Sequence, residues 1–283
     1  TLYNKQKKYK DSEKYFNKSI SLKNNYYRAY FNLGLLNYEN KNYSKAIINF
    51  EKTLEFNNKF FDANYYLGEC YRKLKKFSEC YKFYKLSDNP KKNYKILQGL
   101  HEEGNLIKYS EEVNKISKQT PNDRRIASLA AFVSNQSNIK NNYPFCPNPI
   151  DLIYTCSISK YKKNYNNFVE SLMIEISTQQ YSWEPSGKTT VKGFGTYNLP
   201  DDGLAILSEL KKIIFSEIEV YFKIHSNKNI NFIKERPINL KFVSWSNILK
   251  REGYNVPHIH PSGWISGVFY LKVPTKIKVM KRV

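Results

Sequence analysis

The chain has 283 residues, 41% of them hydrophobic, with 46 basic and 25 acidic side chains and a formal net charge of +21. That length accommodates two ordinary domains with a core in each, and it offers no run of about 18 apolar residues of the kind that spans a membrane as a helix. Only seven of the 46 cations are arginine, and the lysines are spread along the whole sequence, whereas specific recognition of bases and phosphates concentrates arginine forks. The charge therefore reads as a solvated surface, and nucleic acid is not the expected partner.

Cys70, Cys80, Cys146 and Cys156 form no C-x-x-C pair and no zinc-ligand spacing. Reduced structural thiols and a cytoplasmic setting are the expectation.

The first half repeats itself. "AYFNLGLLNYENKNYSKAIINFEKTLEFNN" from Ala29 and "ANYYLGECYRKLKKFSECYKFYKLSDNP" from Ala63 align without a gap at an offset of 34 residues, which carries Leu33 onto Leu67, Gly34 onto Gly68, Tyr43 onto Phe77, Ala46 onto Cys80 and Phe50 onto Tyr84. A period of this length predicts helix-turn-helix units, with the small residue letting the second helix approach the first. One more step back places Tyr9, Ser12, Phe16 and Ile20 in second-helix positions, so residues 1–24 read as the back half of a repeat. Residues 91–140 keep the helical spacing but leave the pattern, which predicts a degenerate repeat and a capping helix over the last apolar face. The L-G-x-x-Y, small-residue and aromatic positions over residues 1–90 resemble the tetratricopeptide repeat. That resemblance implies a curved helical solenoid, a common docking surface for a protein or peptide.

Between residues 141 and 150 the stretch "NNYPFCPNPI" packs Pro144, Pro147 and Pro149 together. Proline at that density ends helices, so a linker is expected there, separating residues 1–140 from residues 151–283. Beyond it the sequence predicts a strand over 152–157, a helix over 168–179 and a polar loop from Trp183. A long amphipathic helix over 203–223 follows, then alternating apolar strands in "INLKFVSWSNIL" and "WISGVFYLKV" separated by a turn-prone stretch over 250–263. Helices followed by antiparallel strands give an α+β domain.

Within that turn-prone stretch lie His258 and His260. On a strand, side chains at i and i+2 share a face, so both imidazoles can enter one cavity and bind a transition metal. The bland alternative has the pair packing at a strand end against Trp245 or Trp264, with the ring N–H groups satisfied by the loop.

The residues around the pair narrow the choice. His258, His260, Pro261, Ser266, Gly267, Val268, Phe269, Tyr270, Leu271 and Pro274 follow an H-x-H-P, S-G-V-Y-Y-L, P pattern and resemble a branch of the 2-oxoglutarate- and Fe(II)-dependent oxygenases. The resemblance implies a double-stranded β-helix (jelly roll) with flanking helices, using Fe(II), 2-oxoglutarate and O2. It places His258 at the first iron ligand. His260 stands where these enzymes usually have a carboxylate, and is either a ligand or an orienting partner of one. The distal histidine and the arginine or lysine that such enzymes place further on are not found in "TKIKVMKRV", although Lys276, Lys278, Lys281 and Arg282 are cationic. The sequence thus reads as a piece truncated at both ends, without the last barrel strands and with an incomplete iron site. His101 in the repeats and His225 beyond the long helix are poor substitutes, since neither is predicted on a barrel strand.

A cupin also carries an H-x-H pair, but wants a glutamate where this chain has Gly263 and Trp264. A catalytic zinc site needs a third ligand. The expectation is a dioxygenase hydroxylating a protein or peptide recruited by the repeats; the alternative is a non-enzymatic repeat scaffold with an inert barrel remnant.

Overall fold

A computed structural model describes residues 2–200, 202–260 and 262–273. The chain divides between Pro147 and Asn148 into two compact units. Among the described residues no helix is long and apolar enough to cross a membrane.

The first unit is built of α1 (Leu2–Leu22), α2 (Tyr27–Glu39), α3 (Tyr43–Phe56), α4 (Phe61–Lys73), α5 (Phe77–Leu86), α6 (Lys92–Glu103), α7 (Leu106–Gln119) and α8 (Arg124–Ser137). Its helices form hairpins that repeat down to single hydrogen bonds. The turn between α2 and α3 has Lys41 at φ 62° and that between α4 and α5 has Lys75 at φ 58°. The Asn42 N–H donates to Asn37 O at 2.8 Å, and the Lys76 N–H to Tyr71 O at 2.9 Å. The hairpin of α6 and α7 keeps the same bond, from Asn105 N–H to Leu100 O at 3.0 Å, but puts glycine in the turn, with Gly104 at φ 78°.

Close approach within each hairpin depends on one missing side chain. A Cβ on Gly34 would lie 2.5 Å from the Phe50 ring, and one on Gly68 2.5 Å from the Tyr84 ring. Ala46, Phe50, Leu67, Cys80 and Tyr84 are fully buried. Burial pushes the Cys70 and Cys80 thiols up to about 12, so both serve as small apolar groups. Gly68→Val should therefore cost at least about 2 kcal/mol, because overpacking is not offset by the small gain in helix propensity over glycine. An unchanged midpoint in chemical denaturation would show that α4 and α5 part freely.

The segment after α8 packs back onto the first unit. Tyr143 is fully buried; its hydroxyl accepts from the Asp123 N–H at 2.9 Å and donates to Thr120 O. Asp123 in turn caps α8 by accepting from the Arg125 N–H at 2.8 Å.

The second unit is α+β. Its core joins α9 (Tyr165–Ser177) and α10 (Ala205–Ile224) through Phe168, Leu172, Ile176, Leu207, Leu210 and Ile213. Glu175 of α9 caps α10, accepting from the Ile206 and Leu207 N–H groups at 3.0 and 2.8 Å. A short helix, α11 (Asn231–Lys234), follows α10. The sheet is antiparallel in the order β1 (Ser182–Trp183), β2 (Thr190–Gly195), β3 (Asn247–Asn255).

Several expected elements differ. Residues 152–157 form no strand: short 3-10 turns, Pro149–Leu152 and Ile158–Tyr161, flank an extended stretch whose side chains serve a carboxylate rather than a sheet. Glu217 of α10 accepts the Tyr154 hydroxyl at 2.6 Å and pairs with Lys160 at 2.6 Å, and Tyr161 also donates to it. Burial would raise this carboxyl, but the hydrogen bonds of Lys160, Tyr154, Tyr161 and Cys156 outweigh it and bring it to about 2. The loop from Trp183 contains β2, and residues 238–246 precede β3 without strand structure. Residues 264–273 alternate as a strand would, yet pair with no strand among the described residues. Phe269 and Leu271 instead pack on the α9–α10 core, while Val268 and Tyr270 face out at 73% and 70% exposure. Three strands are fewer than a double-stranded β-helix requires, so the described residues do not form one.

Candidate metal centre

β2 and β3 bring the two ends of this site together. Thr190 Oγ1 bonds Asn247 Oδ1 at 3.2 Å and Asn255 Oδ1 at 3.1 Å, tying the start of β2 to both ends of β3. Just before β2, Pro185–Lys188 forms a β-turn closed by the Lys188 N–H on Pro185 O at 3.1 Å, with Gly187 at φ 75°, a conformation that side chains disfavour. The next residue extends the pairing beyond the sheet: Thr189 O accepts the Val256 N–H at 2.9 Å.

Val256 then sets the first histidine. The His258 Nδ1 lies 2.7 Å from Val256 O, and only a protonated Nδ1 makes that bond, which leaves Nε2 with its lone pair free in the ring plane. His260 Nε2 sits 3.0 Å from it, with the two rings at 86°. The two Nε2 atoms face each other, but on the segment beyond Asn255 rather than on a strand, and His258 is exposed rather than set in a cavity. His260 packs on Trp245 at 5.2 Å between ring centroids. Its imidazolium form is disfavoured first by burial, then by His258 and by Lys188, so its pKa lies below the usual histidine value.

Lys188 completes the group. Its Nζ lies 5.2 Å from the Trp245 ring centroid and 6.0 Å from that of Tyr197. Some 70 residues separate this lysine from the histidines, and its one local signal is the turn-forming "PSGK". Trp264, a suggested packing partner for the pair, goes elsewhere: its Nε1–H donates to Phe232 O at 3.1 Å and its ring stacks on Phe232.

The pair fits two positions on a metal. With metal–imidazole bonds of about 2.1 Å, nitrogens at a right angle about an ion stand about 3.0 Å apart, matching the observed 3.0 Å. The anchored Nδ1 of His258 is the outer-shell bond that metal-ligating histidines make. Among the described residues no group of three or more His, Cys, Asp or Glu comes together at a metal-holding distance. His225 caps α10 and packs on Tyr221 at 4.8 Å, and His101 lies in α6 against Phe132. Pro261, Pro274, Lys276, Lys278, Lys281 and Arg282 lie outside the described residues.

Residues 243–283 match the model of the family described as "Putative 2OG-Fe(II) oxygenase". The match covers Trp245, the histidine pair and the segment on the α9–α10 core, and it supports an oxygenase domain in this part of the chain. No curated protein matches the chain.

Proposed function

We propose that the second unit carries part of the site of a dioxygenase dependent on Fe(II) and 2-oxoglutarate, and that its substrate is a protein or peptide recruited by the helical first unit. The observation that carries this reading is the convergence of His258 Nε2 and His260 Nε2 at 3.0 Å inside the segment that matches the oxygenase family. When bound, Fe(II) with 2-oxoglutarate and O2 supplies the oxidising power to insert one oxygen atom into a C–H bond, the keto acid leaving as succinate and CO2.

The chain's own residues contribute orientation. Val256 O fixes the His258 tautomer, so that no rotation or proton shift is needed before Nε2 binds. Trp245 packs against the His260 ring, tilted at 45° to it. With His258 protonated at Nδ1, the proton of the mutual hydrogen bond sits on His260 Nε2, so His260 would hold a metal through that atom as the tautomer protonated at Nδ1. The hairpins supply the recruiting surface in this reading, a role that rests on the resemblance of their repeat to tetratricopeptide units. Among the described residues the cysteines form no disulfide, in keeping with the cytoplasmic location of this reading.

The test is anaerobic addition of Fe(II) and then 2-oxoglutarate to the whole protein. A metal-to-keto-acid absorption band, and succinate formed on admitting O2, are the expected results. A protein that gives neither leaves the repeats as its functional part.

A further inference from the structure

Consecutive helices of the first unit run antiparallel, so the connections between hairpins share one edge of the array and the turns within hairpins, at Lys41, Lys75 and Gly104, share the other. The edge between hairpins is the more apolar. Leu22 is 79% exposed there, and Tyr26, Phe56, Phe61 and Leu86 are exposed with it, against Leu74 and Ile107 at the other edge. It is also the more cationic: over residues 18–28, 52–62 and 83–93 eight lysines and arginines stand against three carboxylates, whereas residues 36–46, 70–80 and 101–111 set seven against five.

These tips are held in place. The Tyr30 hydroxyl donates to Asn24 O at 3.1 Å and its ring meets Phe56 at 5.5 Å, while Tyr27 meets Phe60 at 5.4 Å, so the first two connections pack side by side. In the third the Asn89 N–H donates to Ser87 Oγ at 3.0 Å, and Lys92 Nζ to Ser87 O at 2.9 Å. Cations lie beside the rings, with Lys52 Nζ 5.9 Å from the Phe56 centroid and the Arg28 guanidinium 5.8 Å from that of Tyr27. Apolar bodies with charged or hydroxyl ends suit a boundary between water and hydrocarbon.

We propose that this edge of the first unit is a docking surface for a membrane rich in anionic lipid, the apolar tips entering the headgroup layer and the cations meeting the lipid charges. Attachment of this kind needs both signals together, apolar contact and basic charge, and no spanning helix. Single-stranded nucleic acid is the poorer fit. Arg28 is the one arginine among the eight cations, and the protruding Leu22 and Leu86 offer a base no ring to stack on.

The whole protein is sedimented with vesicles of phosphatidylcholine alone and of phosphatidylcholine with about 30% phosphatidylserine, over a range of salt. Binding should require phosphatidylserine and fall as salt rises. A lysine near such a surface contributes about fivefold in affinity, so Lys23→Glu/Lys59→Glu should weaken binding at least about 25-fold. Lys73→Glu/Lys76→Glu, the same change of charge on the other edge, should stay within about threefold. Leu22→Ser/Phe61→Ser should weaken binding at least about tenfold and leave its salt dependence unchanged. All six residues are exposed, so each variant should melt with the parent protein. Equal losses from the two lysine pairs would reduce the effect to net charge and overturn the assignment of the edge. Failure to bind either vesicle overturns it as well, as does binding indifferent to Leu22→Ser/Phe61→Ser. If a single-stranded oligouridylate binds in place of the vesicles and the loop variants weaken it, the occupant is nucleic acid and the lipid proposal falls. The histidine pair enters none of these measurements, so the oxygenase reading stands or falls separately.

Discussion

Glu69→Ala should destabilise the helical unit by about 3–4 kcal/mol, the largest loss expected from any single substitution there. Glu69 is 4% exposed on α4 and gathers partners from four helices. It accepts the Tyr84 hydroxyl at 2.5 Å and the Tyr38 hydroxyl at 3.3 Å, and pairs with Arg72 and Lys95 at 3.0 Å each. Removing the carboxylate leaves the 7%-exposed Arg72 with Glu102 alone and strands the buried Tyr84 hydroxyl, as well as opening a cavity. For a unit of this size the loss corresponds to a fall in Tm of about 10 °C. A Glu69→Ala/Tyr84→Phe double variant should lose less than the sum of the two, since the second change removes the stranded hydroxyl. A loss under about 1 kcal/mol would mean that water replaces the carboxylate at little cost.

The same network sets a pH dependence. Burial tends to raise the Glu69 carboxyl, but Lys95, Tyr84 and Arg72 prevail and hold it below its ordinary value. A carboxyl lowered by folding adds stability that is present above its unfolded pKa and is lost as pH falls through the folded value. Acid unfolding of the first unit should therefore begin below the normal glutamate range, and Glu69→Gln should remove that contribution.

This network was not legible in the sequence, whereas the hairpins around it were. The 34-residue offset pairs Gly34 with Gly68, Ala46 with Cys80 and Phe50 with Tyr84, and each pair occupies equivalent buried positions. Such positions announce themselves because packing demands the same size at the same phase in every unit. Glu69 and Arg72 occupy no repeated slot, and a helix face bearing Glu and Arg looks solvated until Tyr38, Tyr84 and Lys95 arrive from other helices.

A parallel limit shows in the second unit. In "GVFYLKV" the alternation read as a strand places Phe269 and Leu271 on one face, which packs inward, and Val268 and Tyr270 on the other, which is exposed. It does not say whether the inward face meets a sheet or a pair of helices, and here it meets helices. The histidine spacing brought two imidazoles together for the same local reason, since an extended chain alternates faces with or without strand pairing. Lys188 lies over the Trp245 ring on which His260 also packs, and the pairing of Thr189 with Val256 that accompanies this is a register that no local pattern encodes.

The second large effect falls on the histidines, and it also decides what His260 does. Loss of an outer-shell partner of a metal ligand costs about 10–100-fold in affinity, so loss of a ligand itself should cost at least about 100-fold. His258→Ala is expected in the higher range, measured as Co(II) or Fe(II) affinity under anaerobic conditions. Among the described residues its Nε2 faces only His260, and its Nδ1 is already committed to Val256 O. His260→Ala falls in the same range if its Nε2 is a ligand, and in the lower range if it only orients His258. Replacing His260 with glutamine separates the cases further. A side-chain amide can keep a hydrogen bond to His258 but binds these metals poorly, so an orienting role survives the change and a ligating role does not. Metal affinity unchanged by His258→Ala would mean that the convergence of the two nitrogens is an ordinary hydrogen bond between neighbours. The fully buried Tyr84, far along the chain in the other unit, serves as the control position: Tyr84→Phe should lower stability and leave the metal affinity where it was.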